Sequence, residues 1–97
     1  MFTVILEDRA SQDIQNAIDY YDSKEIGLGL KFKNALDKEF IALELNPFYQ
    51  IKYNAIRCKL VKKFPYLIHF EVNEIQKTAN VFAVINTSKN PDTNWIK

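Results

Sequence analysis

The sequence predicts an α+β fold of order β-α-α-β-β-β-β, in which a helical hairpin packs on a mainly antiparallel sheet. Three observations predict it. Apolar residues recur at helical spacing through two segments before Pro47, they switch to a period of two after it, and a single short turn joins the two helical segments. With 97 residues the chain is one domain over 1–97, since domains cluster at ~100–150 residues and a second core would not fit.

Phe2-Thr3-Val4-Ile5-Leu6 is β-branched and aromatic, the expected look of a buried strand. Ala10, Ile14, Ala17, Ile18 and Tyr21 then lay one apolar stripe along a helix over roughly 9–23, with Asp8 as N-cap and Asp13 as an early negative charge favoured by the dipole. Ser23 to Gly27 reads as a turn. A second helix over roughly 27–45 carries Leu28, Phe32, Ala35, Leu36, Phe40 and Leu43, and it ends at Asn46-Pro47, where proline disfavours helix in the residue before it. So short a connection makes the helices antiparallel.

Beyond Pro47, Ile56, Cys58 and Leu60 alternate with Arg57, Lys59 and Val61, which predicts apolar groups on the core face and cations on the other. Tyr66, Ile68, Phe70 and Val72 alternate with Leu67, His69 and Glu71 in the same way. A hairpin over Asn73 to Lys77 returns through Val81 to Ile85, a continuously apolar run suited to a central strand. Asn90 to Trp95 offers a turn and one helical turn. The predicted core is Ile14, Ile18, Phe32, Leu36, Leu60, Ile68, Phe70 and Val84.

The composition, 47% hydrophobic and 26% charged with only 2 Gly and 3 Pro, is that of a globular chain and excludes collagenous and disordered classes. One Cys and one His cannot make a structural zinc site, which takes about four such ligands, or an internal disulfide. No metal and no cofactor is expected. No apolar run approaches the ~18 residues of a membrane span, and the start leads straight into a strand pattern, so a soluble cytoplasmic setting is expected.

Charge is distributed unevenly. The formal net charge is +1, yet residues 1–46 hold nine acids against five bases, while residues 50–70 hold five bases and no acid. Those five, Lys52, Arg57, Lys59, Lys62 and Lys63, raise the prospect of an anionic partner. Edge lysines that discourage aggregation are the plainer explanation. A pI near 7.8 lies well short of a dedicated nucleic-acid binder.

Gly27-Leu28-Gly29 lacks the third glycine and the Lys-Ser or Lys-Thr pair of a phosphate loop, and reads as the hairpin turn. Cys58 reads as a small buried thiol rather than a nucleophile. His69 has the one side chain suited by its ordinary pKa to proton transfer near neutrality, and it is predicted on the cationic face. Metal-free RNA cleavage needs a base for the 2′-hydroxyl, cations for the developing charge and an acid for the leaving oxygen, a set that His69, Arg57 and Lys59 would supply. A histidine on the open side of a sheet, bonded to solvent or to Glu71, is the competing picture. Trp95 would stack on a base or a partner, although a tryptophan near a terminus more often tacks the tail to the body.

Several of these elements, in this order, resemble one family. They are the opening strand with Ala10 and Asp13-Ile14, Tyr20-Tyr21 closing the first helix, Asn46-Pro47 ending the second, and Arg57 before a basic strand. Phe64-Pro65-Tyr66, Ile68 to Val72, Ala83-Val84, Asn90-Pro91 and Trp95 complete the set. Over nearly its whole length the chain resembles the RelE/ParE toxins of bacterial type II toxin–antitoxin systems, and it looks closer to the ParE-like, plasmid-stabilisation branch.

The resemblance implies a growth inhibitor held inactive by a cognate antitoxin, whose disordered C-terminal segment folds on binding. Such a segment would direct acidic residues toward Lys52, Arg57, Lys59, Lys62 and Lys63. ParE-like members bind DNA gyrase and are not enzymes. RelE-like members cleave messenger RNA in the ribosomal A site with strand lysines and arginines, plus an arginine and a tyrosine near the C-terminus. Arg57 and Lys59 match the family's basic strand positions, and with His69 they form the catalytic set of this alternative. The arginine usual on the strand of Tyr66 to Val72 is replaced by Leu67, the C-terminal arginine region reads Asn86-Thr87-Ser88-Lys89, and Trp95 stands near the tyrosine position. Lys89 and Trp95 are candidate target contacts, and a toxin fold that has lost toxicity is a third possibility.

Overall fold

A computed structural model describes residues 1–87. The chain runs β1 (Thr3–Leu6), α1 (Asp8–Lys24), α2 (Leu28–Leu45), β2 (Ile51–Tyr53), β3 (Ile56–Leu60), β4 (Tyr66–Asn73) and β5 (Thr78–Asn86). The expected element order is observed, and the five strands form one sheet in the order β1-β5-β4-β3-β2. β1 pairs with β5 in parallel and every other neighbouring pair is antiparallel. The turn expected over Asn90 to Trp95, Lys89 and Trp95 lie outside the described residues.

The hairpin closes tightly through its glycines. Gly27 caps α2 at φ +91°, in the left-handed region that glycine enters without steric cost. The Gly29 amide donates to Asp22 Oδ1 at 2.8 Å, and a Cβ at residue 29 would lie 2.7 Å from the Ile18 carbonyl oxygen. Asp8 is not the N-cap of α1. Glu7 occupies that position with extended backbone and no side-chain cap bond, and Asp8 is the first helical residue, where its charge still meets the positive end of the dipole.

Ala10 and Ala17 of α1 and Phe32, Leu36 and Leu43 of α2 pack on Tyr66, Ile68 and Phe70 of β4 and Ala79, Val81 and Val84 of β5, with Ile14 and Ile18 partly buried against them. Tyr21, Phe32, Phe64 and Tyr66 stack edge-to-face or tilted with centroids 5.0–6.1 Å apart, which fastens the β3–β4 turn to the helices. β1 is not buried. It is an edge strand with Ile5 and Leu6 about two-fifths exposed, because β5 and the helices cover only one side of it.

β1 also stops short of β5, its last partner being Val81. The Asp13 carboxylate of α1 takes over beyond that point by accepting the Val84 amide at 3.0 Å. The charge read as helix-dipole chemistry thus completes a ladder that has run out of strand.

The faces of β3 are the reverse of the sequence expectation. In an antiparallel ladder, residues directly opposite share a face. Arg57 opposes Phe70 and Lys59 opposes Ile68, so both cations lie on the helix side. Leu60, expected in the core, is 56% exposed, while Val61, expected opposite, is fully buried. The hairpin sits chiefly over β5 and β1, so β3 extends beyond its apolar cover and meets polar groups there.

Candidate basic interface

Each half of the basic run has a separate structural fate. Lys59 is held by α2. Its ammonium lies 2.7 Å from Glu39 Oε1 and 4.8 Å from the Tyr49 ring centroid, and the other Glu39 oxygen accepts the Lys62 amide at 3.0 Å. Glu39 falls between Leu36 and Leu43 on the buried stripe of α2, the one carboxylate in that run of core positions. Burial opposes ionisation of both partners. The hydrogen bond and the mutual attraction outweigh it, so the Glu39 pKa falls below the usual carboxylate value and that of Lys59 rises.

Arg57 is engaged by the loop after α2. Its Nη1 donates to the Tyr49 carbonyl at 2.7 Å, and its guanidinium lies 5.3 Å from the Phe48 ring centroid. The loop is itself shaped by Asn46, whose side-chain oxygen accepts the Phe48 amide at 3.0 Å, and by buried Pro47. Both strand cations therefore tie the 46–50 loop and α2 to the sheet.

His69 does not join them. It opposes Cys58 and Ala83, on the face turned away from the helices, and it is fully buried rather than on an open surface. The Tyr53 hydroxyl lies 3.1 Å and Cys58 Sγ 3.5 Å from His69 Nδ1, and Phe82 packs edge-on with centroids 6.0 Å apart. Burial first, and the Arg9 charge second, push the His69 pKa down to about 4, so the ring is neutral near pH 7. Burial pushes the Cys58 thiol up to about 11, in keeping with an inert side chain. The expected grouping of His69, Arg57 and Lys59 on one face is therefore not assembled, since the strand pleat separates histidine from cations.

The remaining lysines are exposed. Lys52 lies on edge strand β2, while Lys62 and Lys63 occupy the β3–β4 turn, with Lys63 at φ +74°. Across from that turn, Lys31 and Lys38 project from α2, and the four lysines line an open groove of about 460 Å³ with Asn34, Ala35, Glu39 and Phe64. The sequence reading missed Lys31 and Lys38 because they sit in the acid-rich first half. Their spacing of seven, two helical turns, was the signal that they share a face. Glu39 was missed for the same reason that makes it informative: it is a carboxylate at a core position of the apolar stripe. Among the described residues no helix is long and apolar enough to cross a membrane, and no three His, Cys, Asp or Glu side chains form a metal-holding group.

No sequence-family model matches the chain, and no curated protein matches it. Solved structures do. The chain is similar to one from the chromosomal ParDE TA system of P. aeruginosa, with a TM-score of 0.75 at 15% identity over 89% of this chain and 96% of that one. It is also similar to one from the intact E. coli RelBE toxin-antitoxin complex, with a TM-score of 0.66 at 12% identity over 87% of this chain and 94% of that one. These likenesses show a shared fold, a helical hairpin on a five-stranded sheet, over nearly the full length of each chain.

Proposed function

We propose that the chain is the toxin of a bacterial type II toxin–antitoxin system, acting in the cytoplasm, held inactive by a cognate antitoxin, and arresting growth by binding DNA gyrase rather than by cutting RNA. The fold likeness to ParDE and RelBE structures supports the toxin role. The observation that carries the choice of mechanism is the separation of His69 from Arg57 and Lys59. A ribonuclease centre needs proton-transfer and charge-stabilising groups around one phosphate, whereas here the histidine is buried on one face and the two cations are committed to Glu39, Tyr49 and Phe48 on the other. An inhibitor that works by occupancy needs no such convergence.

The test is expression from a tightly repressed promoter, with and without the product of the neighbouring small reading frame, followed by purified assays. Growth arrest relieved by the neighbour, with blocked supercoiling or accumulated cleaved DNA and intact messenger RNA, is expected. Cleavage of messenger RNA on translating ribosomes without an effect on gyrase would establish the RelE-like alternative instead. Unimpaired growth would mean a toxin fold that has lost toxicity.

A further inference from the structure

A cleft between α1 and the outer edge of β5 plays no part in the toxin reading. It exists because β1 stops opposite Val81, which leaves the end of β5 facing the helix instead of a strand. Arg9, Asp13, Asn16, Ala17 and Tyr20 stand at i, i+4, i+7, i+8 and i+11, one face of α1. With Val84 and Tyr66 they border about 360 Å³, at the low end of the ~300–1,000 Å³ of ligand pockets. Ala17 and Val84, each 3% exposed, give the cleft an apolar floor, and half-exposed Tyr20 stands at its rim.

Tyr66 is the anomaly. It lines the cleft and is only 8% exposed, yet its hydroxyl makes no hydrogen bond among the described residues. A buried phenol ordinarily finds a partner. The helix beside it offers an acceptor and donors side by side. Asp13 is pinned by one oxygen, Oδ2, which accepts the Val84 amide at 3.0 Å and lies 3.7 Å from Arg9 Nε. Asp13 Oδ1 and the terminal nitrogens of Arg9 make no hydrogen bond among the described residues. The Asn16 oxygen accepts Gln12 Nε2 at 2.9 Å, which leaves its amide nitrogen as a further donor.

We propose that this cleft binds the guanine base of a free nucleotide, stacked on Tyr20. Guanine carries N–H donors at N1 and N2 and, next to them, acceptors at O6 and N7, a pattern that a carboxylate beside a guanidinium complements. Asp13 Oδ1 accepts from the donor edge, Arg9 donates to the acceptor edge, and the Tyr66 hydroxyl gains the partner it lacks. Adenine inverts the pattern, turning a donor toward the guanidinium and an acceptor toward the carboxylate. A nucleic-acid strand is the poorer occupant, because Arg9 is the one cation among the described lining residues and no basic track continues for a phosphate backbone. The site stands apart from Arg57, Lys59 and the lysine groove, and it does not depend on the toxin reading.

The test is an amide NMR titration of the full chain with guanosine monophosphate, set against the inosine, adenosine and xanthosine monophosphates and against ribose phosphate alone. Guanosine monophosphate is expected to shift amides of residues 9–20 and 84–86 and to bind about tenfold more tightly than the adenosine compound, with inosine, which lacks the N2 amine, between them. Asp13→Asn keeps an oxygen for the Val84 amide but turns the acceptor that faces the cleft into a donor. It should weaken guanosine monophosphate about tenfold and bind the xanthosine compound in preference, since xanthine has a carbonyl where guanine has its amine. Tyr66→Phe should weaken binding about threefold with unchanged melting, because the hydroxyl it removes has no protein partner. Tyr20→Ala should weaken it about tenfold, while Glu74→Gln in the β4–β5 turn should change it less than about twofold.

Four outcomes overturn the assignment. Millimolar guanosine monophosphate shifts nothing in the cleft, ribose phosphate alone reproduces the shifts, Asp13→Asn leaves the order of the purines unchanged, or a single-stranded oligonucleotide with one guanine binds more tightly than the free nucleotide through the same residues. A dispersed amide spectrum separates lost binding from lost folding. If Asp13→Asn does not fold, the order of the four purines on the wild type, with Tyr66→Phe and Tyr20→Ala, decides the matter.

Discussion

Glu39 and Lys59 form a bridge between α2 and β3 at 2.7 Å, with side chains only 11% and 17% exposed. The same carboxylate accepts the Lys62 amide, so a single acidic residue on the helix fixes both the end of the strand and the turn that follows. Removing one partner strands the other in a largely dry site, which costs more than the pair contributes. Glu39→Ala is therefore expected to lower the unfolding free energy by about 3 kcal/mol, and Glu39→Leu with Lys59→Met to recover most of that loss. Urea titrations of the single and double variants measure it. Equal destabilisation by both would show that the packing of α2, not the ion pair, dominates.

His69 gives the fold a defined response to acid. Its folded pKa, about 4, lies below the ordinary value of 6.5, so the unfolded chain binds the proton more readily. The contribution is fully present above pH 6.5 and is lost as pH falls from there through pH 4. Over that window it amounts to about 3 kcal/mol. Glu39, with its pKa also lowered, adds a loss of the same sign at the acid end. The urea midpoint should fall steeply between those pH values in the wild type and more gently in His69→Gln. Parallel curves for the two would show that the histidine is not responsible.

The two residues at opposite extremes of burial in the β3–β4 ladder test its register. Phe70 is fully buried between helices and sheet, and Phe70→Ala is expected to cost about 3–5 kcal/mol. Leu60 is 56% exposed at the end of β3, and Leu60→Ala should cost less than about 0.5 kcal/mol. Thermal unfolding of both variants decides it. A large loss at Leu60 would return that side chain to the core.

Period and punctuation made most of the architecture readable. The two apolar stripes, the turn at Gly27 and the stop at Pro47 recover the helical hairpin within one residue, and the later alternation locates β3 and β4, whereas β5 begins at Thr78 rather than Val81 and the short β2 left no pattern to read. The faces of β3 were not readable, because alternation says that two sets of side chains separate but not which set faces the helices. That depends on where the helical cover ends and on Glu39 reaching over from α2. Asp13, Tyr53 and Glu39 act across 71, 16 and 20 or more residues of sequence, and local patterns carry no trace of such partners.

Arg57 separates a binding role from a catalytic one. Its guanidinium holds the 46–50 loop through the Tyr49 carbonyl and the Phe48 ring, so Arg57→Met removes a charge and a charge-assisted bond while keeping much of the volume. The stability cost should be about 1–2 kcal/mol. In an inhibitor that acts by occupancy, toxicity should follow the folded fraction and survive at low temperature, where the variant remains folded. In a ribonuclease, losing a cation that stabilises the developing phosphate charge lowers the chemical step by about 10²-fold or more even when the protein is fully folded. Growth arrest at a permissive temperature, paired with single-turnover assays on programmed ribosomes, reads the two apart. Retained arrest with no RNA cleavage by either protein supports occupancy. RNA cleavage by the wild type that is lost, together with arrest, in a variant still folded at the assay temperature would place Arg57 in a reacting centre and overturn the proposed mechanism.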